Sequence, residues 1–64
     1  MADFYRDLVK ILRANGFILV RGGKGSHEIW LNRTINKQVT VPRDTKSRHT
    51  ANEVLKQAGL EKAF

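Results

Sequence analysis

The spacing of the apolar residues changes twice along this chain, from helical to strand-like and back to helical. The first apolar residues recur at the spacing of one helix face: Phe4, Leu8, Ile11 and Leu12. This pattern predicts a helix over about residues 4–14. Asp3 is a suitable N-terminal cap, and Asn15-Gly16 is typical of a left-handed helix end.

Three short strands are predicted to follow this helix. The first covers residues 17–21 and leads into a glycine-rich turn at 22–26. The second covers 27–31, and the third covers 37–41, where apolar and polar residues alternate. Pro42 ends the third strand because proline cannot donate a ladder hydrogen bond.

A second helix is predicted near the end of the sequence, after a polar, basic loop at residues 43–49. Thr50 and Glu53 have the spacing of a capping box, in which each side chain satisfies a free amide at the helix start. An apolar stripe follows: Val54, Leu55 and Ala58. Gly59 is expected to end the helix.

The predicted order is therefore α-β-β-β-α, an α+β fold. Both helices have one apolar face, which is best buried on one face of a three-stranded antiparallel sheet. The 64 residues form one domain, 1–64. With no export signal and no apolar run near the roughly 20 residues that span a bilayer, we expect a cytoplasmic protein without membrane contact.

Positive charge is concentrated in the middle of the chain. The formal net charge is +6, and segment 21–48 holds only two acidic residues beside seven basic ones: Arg21, Lys24, Arg33, Lys37, Arg43, Lys46 and Arg48. Such a field attracts polyanions, so nucleic acid is the expected ligand. A basic surface that serves only solubility is the alternative.

Lys24-Gly25-Ser26-His27 has the residue types that a phosphodiester site needs. His27 can move a proton near neutral pH. The glycines leave backbone amides free to face a phosphate, Lys24 supplies a positive charge, and Ser26 can donate a hydrogen bond. The alternative is an ordinary hairpin turn followed by an exposed histidine.

The basic loop before the second helix is a second candidate phosphate contact. Arg43, Lys46 and Arg48, with the first amides of the helix, could bind a phosphate, or they could simply be solvated. His49 could be a second acid–base group, but a solvated loop histidine is the favoured interpretation.

No metal or cofactor is predicted. Metal-dependent phosphodiester chemistry needs several converging carboxylates, and the spacings match no zinc or calcium site. Glu28 follows His27 in sequence, but the strand period places the two side chains on opposite faces.

Trp30 is predicted to contact a partner. If Ile29 and Leu31 face the helices, Trp30 points to the open face of the sheet together with Glu28. An exposed indole can anchor a protein partner or stack on a base. If Trp30 faces inward instead, it is a core residue.

Four stretches of the chain, in this order and spacing, resemble the HicA toxins. They are Asn15-Gly16-Phe17, the segment Gly25-Ser26-His27 with an aromatic residue three positions later at Trp30, Val39-Thr40-Val41-Pro42, and the ending Leu55-Lys56-Gln57-Ala58-Gly59-Leu60. The resemblance spans nearly the whole chain.

The resemblance implies a fold like the double-stranded-RNA-binding domain. It also implies a ribosome-independent endoribonuclease that cuts messenger RNA and is neutralised by a HicB-like antitoxin. The family's catalytic histidine corresponds to His27, its Gly-Ser pair to Gly25 and Ser26, and Thr50 also matches, whereas no role carries over to His49.

With a single histidine at the site, we expect metal-independent cleavage in which the ribose 2′-hydroxyl attacks the phosphorus. Two other classes of function stay open on the sequence alone. One is a non-catalytic module that binds structured RNA through its basic loops. The other is a protein-interaction domain with Trp30 as its anchor.

Overall fold

The computed structural model describes residues 3–22, 25 and 27–64. Its elements are α1 (Tyr5–Ala14), β1 (Ile18–Gly22), β2 (His27–Asn32), β3 (Lys37–Pro42) and α2 (Arg48–Gln57). The predicted α-β-β-β-α order is confirmed. The first helix and the three strands begin within one residue of their predicted starts, and α2 begins three residues before the start that a Thr50 cap implies. Neither helix is long and apolar enough to cross a membrane, as far as the described residues go.

The sheet is antiparallel throughout, with β2 between β1 and β3. Trp30 in the middle of β2 pairs with Leu19 on one side and with Val39 on the other. The β1–β2 register shifts between Leu19 and Arg21, which is a bulge. Three consecutive apolar residues of β1 remain 45–51% exposed: Ile18, Leu19 and Val20.

One face of the sheet carries the core, and both helices contribute to it. The buried apolar residues are Leu8, Val9, Leu12, Phe17, Trp30, Val39, Val41, Ala51, Val54, Leu55 and Ala58. Val39 and Val41 come from the inward positions of β3, and the polar residues between and beside them are exposed. The prediction that both helices cover a single sheet face is confirmed.

The end of α1 explains the Asn-Gly-Phe sequence. Gly16 has φ +89°, the left-handed conformation that glycine adopts without strain. A Cβ at Gly16 would lie 3.2 Å from Nδ2 of Asn32, which is tighter than an ordinary Cβ contact, so the close approach of Asn32 also favours glycine. The same Nδ2 donates to the Asn15 carbonyl at 2.9 Å, which ties the helix end to β2.

The prediction that Thr50 caps α2 is wrong, because the N-cap lies three residues earlier in the chain. Ser47 is the N-cap, and its hydroxyl accepts a hydrogen bond from the His49 amide at 3.1 Å. Ala51, in the first turn of the helix, is fully buried. It lies on the same face as the apolar stripe, at the i, i+3, i+4, i+7 spacing of a core-facing helix.

The prediction that Trp30 points to the open face is also wrong. Trp30 is 1% exposed and lies in the core, while Ile29 and Leu31 are half-buried on the opposite face. β2 is apolar on both sides, so its alternation alone could not determine which side turns inward. The indole has the larger apolar surface to bury, and its Nε1–H finds an acceptor in Oε1 of Glu28 at 3.2 Å.

The C-terminal tail is anchored to α2 and to the start of the chain. The Asn52 amide group both donates to the Phe64 carbonyl and accepts from the Phe64 amide, at 3.0 and 3.1 Å. The Phe64 ring meets Phe4 edge to face, with the centroids 5.4 Å apart. The tail therefore packs against the domain.

Candidate active site

His27, the predicted catalytic residue, is the first residue of β2 and is exposed. It pairs with Pro42 across the sheet. The two-residue strand period places its side chain on the face opposite Glu28 and Trp30. His27 thus lies on the free face of the sheet, next to the glycine-rich turn, where a large ligand has access to it.

β3 is an edge strand of the sheet, and an open groove of about 520 Å³ lies at this edge, between free-face residues of the sheet and α2. One wall consists of His27 with Thr40 and Pro42 of β3. The other wall is made of α2 residues: His49, Thr50, Glu53, Val54 and Gln57. The fold therefore brings both histidines of the chain to a single groove.

His49 is the functional candidate that the sequence interpretation gave least weight. It lies in the first turn of α2, not in a loop, and its side chain is exposed. No local pattern relates it to His27, which is 22 positions away. Only the packing of α2 beside β3 brings the two to one site.

The predicted phosphate-binding turn is described at one position only. Gly25 is exposed and has φ +65°. A Cβ there would have no neighbour within 4 Å, so there is room for a side chain. Glycine is favoured at this position because of the left-handed backbone conformation. Lys24 and Ser26, the other predicted members of this turn, lie outside the described residues.

The three predicted basic contacts lie beside the groove and do not line it. Arg43 is 64% exposed at the side chain, and its Nε lies 3.7 Å from Oε2 of Glu28. Lys46 is exposed before α2, and Arg48 is exposed as its first residue. Arg43 therefore has a carboxylate partner already, whereas Lys46 and Arg48 present their charges to solvent.

A polar cluster lies behind β2, on the core side. The Tyr5 hydroxyl and the Trp30 indole both donate to Oε1 of Glu28. Burial raises the pKa of Tyr5 above its ordinary value of 10.0, and the hydrogen bond to Glu28 and its negative charge add to the effect. The sequence interpretation missed this cluster, because Tyr5 and Arg43 reach Glu28 only through the fold.

Within residues 3–22, 25 and 27–64, no three histidine, aspartate or glutamate side chains gather as ligands of a metal ion. The groove contains two histidines and one carboxylate, Glu53, along its length. These three side chains are the groups in the groove that can exchange a proton with a ligand.

This small α+β domain, with a histidine on the free face of its sheet, matches one protein family. The matching family model, described as the HicA toxin of bacterial toxin–antitoxin systems, covers residues 5–60. The chain therefore belongs to the HicA toxin family, and the family implies an antitoxin partner. No curated protein and no solved structure matches the chain significantly.

Proposed function

We propose that the protein is a ribosome-independent, metal-independent endoribonuclease that cleaves messenger RNA in the cytoplasm. The observation that carries the proposal is the position of His27: exposed, on the free sheet face, and at the rim of an open groove. This position allows an RNA strand to reach the imidazole. Family membership agrees with this activity.

The proposed reaction is an attack of the ribose 2′-hydroxyl on the adjacent phosphorus. The bond from the 2′-oxygen to phosphorus forms, and the bond to the 5′-oxygen breaks. The products are a 2′,3′-cyclic phosphate and a 5′-hydroxyl end. His27 transfers one of the two protons that this reaction moves, a role worth about 10²–10⁴-fold in rate.

Charge stabilisation is assigned to the glycine-rich turn. Lys24, Ser26 and the backbone amide of Gly25 would stabilise the charge that develops on the phosphoryl oxygens. Lys46 and Arg48 are exposed and would hold the neighbouring phosphates of the strand. Arg43 contributes less in this proposal, because it already pairs with Glu28.

The proposed partner is a HicB-like antitoxin that covers the groove. It is expected to be acidic, since segment 21–48 carries most of the positive charge of the chain. The core position of Trp30 removes the exposed indole on which a pure protein-interaction domain depended. Contact with the antitoxin is therefore assigned to the groove and its basic surroundings.

The experiment that tests the proposal compares an RNA and a DNA oligomer of the same sequence. We expect the RNA to be cut to products with 2′,3′-cyclic phosphate ends and the DNA to stay intact, because DNA lacks the attacking 2′-hydroxyl. Cleavage of the DNA would rule out this chemistry. Binding of duplex RNA without cleavage would show a non-catalytic RNA-binding module instead.

A further inference from the structure

We infer that His49 is a second catalytic residue, the general acid that protonates the leaving 5′-oxygen while His27 acts as the general base. The inference rests on the proposed ribonuclease function and deepens it. Its basis is the single groove that both histidines line, His27 from the sheet and His49 from the first turn of α2.

The reaction is best served by two proton-transfer groups, one near each of the two oxygens that exchange at phosphorus. In an in-line displacement, the entering 2′-oxygen and the leaving 5′-oxygen lie on opposite sides of the phosphorus. One histidine cannot serve both oxygens in the same step. A strand lying in the groove can meet both histidines, His27 from the sheet and His49 from α2, so that two separate groups are available for the two oxygens.

The inference assigns the acid to the helix wall of the groove, which also carries a carboxylate. Glu53 lies one helical turn after His49 and lines the same groove. On the sheet wall, Glu28 points into the core, so among the described residues that line the groove the carboxylate is that of Glu53.

The two histidines account for both protons that the reaction moves, so no further reactant is needed. Neutral His27 takes the 2′-hydroxyl proton as the new bond to phosphorus forms. Protonated His49 gives its proton to the 5′-oxygen as that bond breaks. His27 ends the step protonated and His49 neutral, and exchange with water through the open groove restores both.

A leaving-group experiment tests this role in the full chain. The cleavage position on an RNA oligomer is mapped first, and a second oligomer then carries sulfur in place of the 5′-oxygen at that position. A thiolate leaves without being protonated. We expect His49→Ala to slow single-turnover cleavage of ordinary RNA by about 10²–10⁴-fold, but to slow the sulfur substrate by less than about tenfold.

Two further variants separate this role from the others. His49→Gln keeps a hydrogen-bonding side chain but cannot act as an acid, so it should be as slow as His49→Ala. His27→Ala should be slow on both substrates. The 2′-hydroxyl must lose its proton to the general base whichever leaving group departs. The exposed position of His49 leads us to expect unchanged melting temperatures.

Distinct results would overturn the inference. Parental activity of His49→Ala on ordinary RNA would contradict it while leaving the role of His27 intact. Equal losses on both substrates, or recovery in His49→Gln, would show that His49 only binds a phosphate. A parent protein that cuts no RNA would overturn the proposed function, and this inference with it.

Discussion

Glu28 is a buried carboxylate whose partners come from three parts of the chain. It is 8% exposed and accepts from the Tyr5 hydroxyl of α1 and the Trp30 indole of β2, with the Arg43 guanidinium 3.7 Å away. A buried charge is tolerated only when it is paired and hydrogen-bonded. This cluster therefore holds α1 and the loop after β3 against the back of the strand that presents His27.

Replacing Tyr5 with phenylalanine tests this cluster. Because the variant leaves a buried carboxylate short of one donor, the free energy of unfolding at pH 7 should fall by about 1.5–3 kcal/mol. Urea denaturation of the purified variant and parent measures the difference.

The same pair of proteins should respond differently to alkaline pH. The folded protein holds the Tyr5 proton more tightly than the unfolded chain, since the pKa of Tyr5 is raised above 10.0. The resulting stability is present below pH 10 and is lost as the pH rises through the folded pKa. The difference in the free energy of unfolding between the parent and Tyr5→Phe should therefore become smaller above pH 10. A difference that stays constant with pH would contradict this role of Tyr5.

At the residue scale, the arrangement of the Glu28 cluster could be predicted from the sequence only in part. The strand period correctly puts Glu28 and Trp30 on one face of β2 and His27 on the other. It does not say which of these faces is buried. That choice depends on Tyr5 and Arg43, which are distant in sequence and meet Glu28 only after folding.

At the scale of elements, the beginning of α2 determines the wall of the groove. Ser47 and Thr50 are both acceptable caps, and the sequence offered Glu53 as a reason to choose Thr50. The helix begins at Arg48 with Ser47 as its N-cap, and the Ser47 hydroxyl accepts a hydrogen bond from the His49 amide. As a result, His49 belongs to the helix and faces the groove.

Alanine at each of these two hydroxyl residues makes a matched pair of variants. Ser47→Ala removes the acceptor of the His49 amide and should cost about 1 kcal/mol. In a domain of this size that lowers the melting temperature by about 4–8 °C. Thr50→Ala should stay within about 0.5 kcal/mol of the parent, and an equal loss for both would place the cap elsewhere.

Other element ends were predictable because their signals are local. Asn15-Gly16 ends α1 and Gly59 follows α2, both glycines with positive φ, as the sequence indicated. Pro42 is likewise the last residue of β3. Each of these ends depends on the backbone conformation that one glycine or proline allows. The choice between Ser47 and Thr50 as the cap of α2 depends instead on the rest of the fold.

At the scale of the whole molecule, the positive charge and the groove both favour an RNA ligand. Segment 21–48 carries most of the positive charge, and it includes the free-face strand β2 and the residues leading into α2. The sequence could predict this charge and the importance of His27. It could not predict the groove, which exists only because α2 packs beside β3.

The salt dependence of RNA binding tests the charge assignment. In a His27→Ala background, which keeps the RNA intact, removing Lys46 or Arg48 should reduce the slope of log affinity against log salt by about 0.7–1 each. Lys10→Ala on α1, outside the basic segment, is the control and should leave the slope unchanged. Unchanged slopes for all three would mean that Lys46 and Arg48 do not contact phosphates.

The most direct test of the central claim is cleavage of a labelled RNA in excess chelator by the parent protein and by His27→Ala. His27 is exposed, so the variant should fold with an unchanged melting temperature. We expect the parent to shorten the RNA without a metal ion and the variant to leave it intact. Cleavage by the folded variant at the parental rate, or no cleavage by a folded parent free of antitoxin, would contradict it.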